Sequence, residues 1–293
     1  MAISLEHPYN ELDGIWTRGS FHGHCSENSR CSGTALADSV SWYNELGVGF
    51  ITLTDHDHVT VLSKMRKTYP AMTFLEGFEY SSRENVLFAG PTVPPLYQLS
   101  LEEALDRAAD LLTVVCHPRP NADGIDYWTR EMLEELGVWP DGIEVFNGHY
   151  GTPSATKHGR CPLYSEFWDE LLTAGHRLWG YANDDFHDKE DFANAFNMVH
   201  VDQVSPESVT RAAKAGRCYA STGLLLSSIE ERGGKIVVKT ASDCEGVFVG
   251  PGGTRLSAGA GRQFEYTAHS EDYIRFEAQG GAGRLFLQPM WSV

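Results

Sequence analysis

Short, largely apolar runs alternate with polar clusters along most of the chain. Phe50 to Leu53, Ala71 to Leu75, Leu111 to Val115 and Leu178 to Tyr181 have strand length and read as buried strands. Gly142 to Phe146 reads as another, ending in Asn147-Gly148. Helical patterns lie between them. Ala35, Leu36, Val40, Tyr43 and Leu46 recur at helical spacing over Gly33 to Leu46, and Gly47 stops that helix. Ser100, with Glu103 three positions on, predicts a capping box at the head of a helix carrying Leu101, Ala104, Leu105 and Ala108. Ser205-Pro206 opens a late helix with proline at its first position. Roughly seven βα units follow one another, which predicts a mostly parallel sheet or barrel.

After Thr222-Gly223 the texture changes. Residues 236–239, 246–249 and 273–277 are short alternating stretches punctuated by Gly233-Gly234, Gly252-Gly253 and Gly280-Gly281. This pattern predicts a small antiparallel β-domain. The expected division is 1–223 for the α/β barrel and 224–293 for the β-rich extension.

The polar clusters just after the apolar runs carry the chemistry. They are His22-Gly23-His24, Asp55-His56-Asp57-His58, Glu79, His117 and Asp185-Phe186-His187. Imidazole and carboxylate are ligands for borderline divalent metals. His-x-His in an extended segment brings both rings to one side. Four consecutive titratable side chains are costly to bury without a partner charge. Donors at the carboxyl ends of successive strands converge on one face of an α/β barrel, where active sites of that fold sit.

Composition narrows the choice of partners. The chain has 293 residues, 42% of them hydrophobic, as in an ordinary globular protein. Against 40 Asp and Glu stand 23 Lys and Arg, a net charge of -17. That argues against a nucleic-acid or anionic-membrane surface, but a bound metal reverses the local field, so a phosphorylated small molecule remains compatible. No apolar run approaches the ~20 residues of a membrane span, and Met1 to Asn10 lacks a signal pattern, so a cytoplasmic location is expected. The six cysteines form no Cys-x-x-Cys pair and read as free thiols, with Cys25, next to His24, the one within reach of a metal.

In this order, the clusters resemble the PHP family (polymerase and histidinol phosphatase domain). His22 and His24 match its His-x-His motif, and Thr54-Asp55-His56-Asp57 its Thr-Asp-His-Asp. Gly77 and Glu79 match Gly-x-Glu, His117-Pro118 the His-Pro pair, and Asp185 and His187 Asp-x-His. The resemblance implies a distorted (β/α)7 barrel with a two- or three-metal site. It implies that His22, His24, Glu79 and Asp185 hold one metal, and that Glu79 bridges to a second at His117. It leaves His56 and His187 to a third position or to acid–base work. Gly216 to Gly223 and the closing Tyr273-Ile274-Arg275 and Gln288-Pro289 look like a subgroup with a C-terminal β-extension, which includes metal-dependent phosphoesterases and carbaryl hydrolases.

Two positions depart from the family pattern. Asn85 stands where a histidine is usual, and Ser29 and Arg30 stand where an acidic or histidine ligand is usual, with Glu27 able to reach in from the same loop. The expectation is one firmly held divalent ion (Mn, Zn or Fe) and a second.

Metals held this way lower the pKa of bound water towards ~7 and neutralise charge on a phosphoryl or carbonyl oxygen. A histidine supplies the leaving-group proton, with His56, His58 and His187 the candidates where they do not ligate metal. Arg30, Arg119 and His149 are candidates for gripping substrate. The leading expectation is a metal-dependent phosphoesterase acting on a small phosphorylated molecule. The alternatives are a carbamate, amide or ester hydrolase, and a metal-holding module without catalysis.

Overall fold

A computed structural model of the chain describes residues 4–81, 85–124 and 126–293. The first part of the chain runs β1 (Leu5–Glu6), β2 (Ile15–Ser20), α1 (Leu36–Glu45), β3 (Phe50–Thr52), α2 (Ser63–Thr68), β4 (Thr73–Tyr80) and β5 (Val86–Gly90). It continues α3 (Leu101–Asp106), β6 (Leu112–Val115), α4 (Arg130–Glu135), β7 (Gly142–Asn147), α5 (Pro153–Lys157), α6 (Ser165–Thr173) and β8 (Trp179–Asn183). Then come β9 (Phe196–Val201), α7 (Pro206–Lys214), β10 (Cys218–Ser221), β11 (Leu226–Arg232), β12 (Lys235–Gly250), β13 (Thr254–Thr267), β14 (Tyr273–Gly280), β15 (Gly283–Leu287) and β16 (Met290–Ser292).

Local signals place most of these ends. The Ser100–Glu103 capping box forms, and Ser205 caps α7 with Pro206 in its first turn. The first helix begins at Leu36 rather than Gly33. Glu27 accepts the Leu36 amide at 2.9 Å, so this side chain caps α1 and is not aimed at a metal.

The chain forms a mixed α/β structure in which all 16 strands belong to one sheet. The pairs β2–β3, β3–β4, β6–β7 and β7–β8 are parallel. By contrast, β5 runs antiparallel to β4 and β6, β9 to β2, and β10 to β9. The mostly parallel arrangement read from the alternation is interrupted for a geometric reason. Only residues 81–85 join β4 to β5, too few for the crossover a parallel pair requires. Strands β11 to β16 pair antiparallel throughout, and β15 joins them to β10 in the same ladder.

The free edge of β8 is met by amide side chains. Gln288 donates to the Gly180 carbonyl and accepts from its amide, both at 2.8 Å. Asn197 does the same for Ala182, at 2.7 and 3.0 Å. An amide carries both donor and acceptor, so it can stand in for one residue of a neighbouring strand. These bonds, with the Gly23–Phe186 bridge, hold β8 near β9 and β2 and curl the sheet.

One sheet face packs Phe21, Phe50, Leu75, Leu112, Tyr181 and Val199 around Val209, Ala212 and Ala213 of α7. Helix α7 lies across the strand starts. Lys214 bonds the Leu111 carbonyl and Asp141 just ahead of β6 and β7, and the Trp179 indole bonds the Lys214 carbonyl. With that end closed, the strands open at their carboxyl ends. No helix of the described residues is long and apolar enough to cross a membrane.

A buried ion pair ties the late strands to the helical layer. Arg275 of β14 grips both oxygens of Asp169 on α6, at 2.7 and 2.5 Å, with the two side chains only 2% and 8% exposed. Removing one member strands a buried charge. Arg275→Met should cost about 3 kcal/mol in urea unfolding, and adding Asp169→Leu should recover most of it.

Candidate metal centre

Four donors meet beyond the carboxyl ends of the strands. His22 and His24 follow β2, Glu79 lies near the end of β4, and Asp185 follows β8. His22 Nε2 is 3.3 Å from His24 Nε2, 3.4 Å from Glu79 Oε2 and 3.1 Å from Asp185 Oδ1. His24 Nε2 is 3.4 Å from the same Glu79 oxygen and 3.2 Å from the same Asp185 oxygen. Donors around a tetrahedral zinc ion, each ~2.0–2.1 Å from it, lie roughly 3.3–3.4 Å apart. All four residues are buried, and Glu79 Oε2 has no hydrogen-bond partner among the described residues. An orphaned carboxylate oxygen facing imidazole nitrogens at this spacing fits a metal position.

Hydrogen bonds set the free nitrogens. His22 Nδ1 lies 2.8 Å from Glu144 Oε1, which fixes a proton there and turns Nε2 towards Glu79 and Asp185. Ser29 Oγ donates to Asp55 at 2.6 Å and sits 3.3 Å from His24 Nδ1, which leaves His24 Nε2 bare. Glu144 also accepts from the His117 amide, Asn147 and Asn183, at 2.7, 2.9 and 3.0 Å. Asn147 in turn donates to Asp185 Oδ2 at 3.1 Å.

The electrostatics ask for a cation. Among the described residues, no lysine or arginine pairs with Glu79, Glu144 or Asp185. Burial alone would raise Glu79 and Asp185, yet facing histidines, His22 first, hold both well below the carboxylate range. Burial pushes His24 down to about 4, so its ring is neutral near pH 7. Burial also works against protonated His56 and His187, but the first rises to about 10 beside Cys31 and Glu79, and the second to about 9 beside Asp185 and Cys31.

The same overall arrangement is found in a solved structure. A two-domain protein from Bacteroides vulgatus, containing a predicted PHP-like metal-dependent phosphoesterase, superposes with a TM-score of 0.55 at 15% identity. The alignment covers 99% of this chain and 98% of that one. The chain has the PHP-like fold. A lesion-specific endonuclease from Pyrococcus furiosus (TM-score 0.49, 15% identity, 68% of this chain and 56% of that one) is more distant. So is an amidohydrolase from Chromobacterium violaceum with bound sulfate (TM-score 0.40, 14% identity, 59% and 89%), and neither bears on this chain. No protein-family model and no curated protein matches the chain.

On this PHP-like fold the remaining sequence candidates fall into two groups. His117, His56, His187 and His149 reach the centre. His117 Nε2 is 3.2 Å from Glu79 Oε1, and His56 Nδ1 is 3.0 Å from Glu79 Oε2. His187 lies beside His24 with ring centroids 4.4 Å apart, and His149 beside His187 at 4.6 Å. Asp191 holds His149 Nδ1 at 2.9 Å. The other group stays outside. His58 is exposed and has no side-chain bond among the described residues, and Arg30 is exposed without an ion pair there. Arg119 is held by Asp126 and Glu170, at 3.3 and 3.0 Å, with its guanidinium over the Phe167 ring.

Asn85 has its own role. Its amide donates to Glu79 Oε1 at 2.5 Å, on the side of the carboxylate that faces His117. A neutral N–H thus fills a lone pair that a metal between Glu79 and His117 would need. Cys25 does not face the donors, because its thiol donates to Asp55 at 3.1 Å and burial beside that carboxylate pushes its pKa up. Two other thiols lie among the donors: Cys116, buried with His22 and Glu79, and Cys31. One donor atom from each of His24, Cys31, His56 and His187 lies within 4.8 Å of the others. Burial would raise Cys31, but His187 and His56 bring it down to about 6.

Sequence reading missed Glu144, Ser29 and Cys31. A lone carboxylate inside the apolar Gly142–Phe146 run was a visible signal for Glu144. Ser29 stood out only as a departure from the family's ligand pattern, and Cys31 gave no signal, because their roles depend on a loop returning to a distant strand end.

Replacing Glu144 by Gln keeps the shape but removes the charge that orients His22. Zinc affinity, measured against a chromogenic chelator, should fall roughly 10–100-fold. Asn85→His replaces the competing N–H by a donor, and elemental analysis should find one more ion per chain than in the parent. An unchanged count would mean that Asn85 does not control that position.

Proposed function

We propose that the chain is a metal-dependent phosphoesterase of PHP type acting on a small phosphorylated molecule. The observation that carries this reading is the buried set His22, His24, Glu79 and Asp185, in which the two Nε2 atoms lie 3.3 Å apart and each stands 3.1–3.4 Å from Glu79 Oε2 and Asp185 Oδ1. These four would hold the ion, with His117, His56 and His187 around them. A divalent ion held there would lower the pKa of water towards ~7 and offset charge on a phosphoryl or carbonyl oxygen.

The chain's own residues supply the rest. Asp191 holds His149 through Nδ1 beside His187, and we assign His149 Nε2 as the atom that would deliver a proton to the leaving oxygen. Tyr127 and Tyr150 stand edge-on to His117, with centroids 5.7 and 5.3 Å away, and limit water on that side. Arg30, without an ion pair among the described residues on the loop between Ser29 and Cys31, would grip a phosphate. We read the curled sheet as the incomplete (β/α)7 barrel of this family, covering 1–223, with 224–293 as its β-extension. The acidic surface supports a small substrate rather than a nucleic acid or a membrane, and manganese, zinc and iron all suit these donors.

A carbamate, amide or ester hydrolase is the second reading. The engagement of Arg119 by Asp126 and Glu170 favours it, because one fewer guanidinium is free to bind phosphate.

The test is turnover by metal-loaded protein on phosphomonoesters, cyclic phosphates, diesters and carbamates. Turnover of a phosphorylated compound is expected, lost together with the bound metal in the His22→Ala/His24→Ala variant. Arg30→Ala should raise KM roughly tenfold or more on a phosphate substrate. Turnover of carbamates alone would move the assignment to the second reading. Bound metal with no turnover on any substrate would leave the non-catalytic module.

A further inference from the structure

We infer that Cys31 is a metal ligand, forming with His56 and His187 a second, thiolate-bearing position beside the four-donor centre. This rests on the reading of that centre as a metal site. It adds a donor type, and therefore a metal preference, which the four-donor set does not supply.

Geometry carries the inference. Cys31, His56 and His187 come from three separate loops, after β2, β3 and β8, yet their donor atoms and that of His24 lie within 4.8 Å of one another. Each of the two histidines is anchored through its other nitrogen. His187 Nδ1 is 2.7 Å from the Asp185 carbonyl, and His56 Nδ1 is 2.6 Å from Ser81 Oγ. Both rings therefore present Nε2, the arrangement found in metal-ligating histidines. His24 is already committed through Nε2 to the four-donor centre, and its ring stands against both others, at 4.6 Å from His56 and 4.4 Å from His187. Two imidazoles and one thiolate leave a tetrahedral ion one open position, the form of a catalytic rather than a closed structural site. Cys31 is exposed, so that position faces solvent and incoming substrate. Thiolate selects zinc, iron or cobalt over manganese and magnesium.

Cobalt(II) alone reports on this directly, because thiolate ligation produces a charge-transfer absorption that nitrogen and oxygen donors do not. Protein loaded with cobalt should hold two ions per chain and show the near-ultraviolet band. Cys31→Ser, at an exposed position, should fold, keep one ion and lose the band. Cys31→Asp should keep two ions without the band and shift its metal preference towards manganese. One ion without a thiolate band in the parent would overturn this inference and leave the four-donor centre intact, as would a band that survives Cys31→Ser. No bound cobalt at all would overturn both.

Discussion

The structure depends on a knot of buried negative charge. Glu79, Glu144 and Asp185 are each almost fully enclosed, and so is Asp55. Burying a carboxylate without compensation costs several kcal/mol. Here the compensation is imidazole, backbone amide and asparagine rather than lysine or arginine, and it is incomplete at Glu79 Oε2. The surrounding fold serves this knot. Helix α7 seals the other end of the strands. The amide side chains of Asn197 and Gln288 curl the sheet so that the loop after β8 meets the loop after β2. Gly77 lets β4 approach its neighbours, since a Cβ there would stand 2.7 Å from Thr52 and 2.8 Å from the Phe88 carbonyl. Glu79 reaches the histidines because of that close approach.

The backbone at the centre carries strain as well as charge. His117 and Asp185 have φ values of 25° and 49°, and Asp57 has 46°, all in the left-handed region that L residues avoid. Each sits in one of the polar clusters at a strand end. Strain of this kind, on the order of 1–3 kcal/mol per residue, persists where surrounding bonds over-determine the conformation. At His117 the Glu144 carboxylate holds the amide, and at Asp185 Asn147 holds the side chain. Glu144 therefore fixes a histidine ring on β2's loop and a strained amide after β6 at once.

What was legible in the sequence followed from local physics. Strand ends, the Ser100 and Ser205 caps and the clusters themselves depend on residues close in the chain. The cluster of candidate donors could be read because several rare, costly residues recur after apolar runs. What was not legible depends on long-range return of the chain. Glu27 caps a helix instead of facing the centre, because Leu36 presents an amide to it. Arg119 lies among carboxylates contributed by residues 126 and 170, a neighbourhood that sequence spacing does not reveal. Gln288 reaches β8 from the far end of the chain. The antiparallel insertion of β5 was visible only as a short connection, easily outweighed by the βα rhythm around it.

Asn85 and His56 stand at different oxygens of the Glu79 carboxylate. At Glu79 Oε1, Asn85 supplies a hydrogen where a metal would need a lone pair, so that side is satisfied without an ion. At Glu79 Oε2 nothing is satisfied, and His22, His24 and His56 all face it. The loop after β2 then adds a soft sulfur near His56. Cys31, His56 and His187 stand together there, with His149 beside His187, and form the mouth on that side. Under the proposed function, a substrate approaching that mouth would meet His149, held by Asp191, and the exposed Arg30 loop together. In that reading, Asn85 and Cys31 would set the reactive edge of the site towards the β2 loop rather than towards His117.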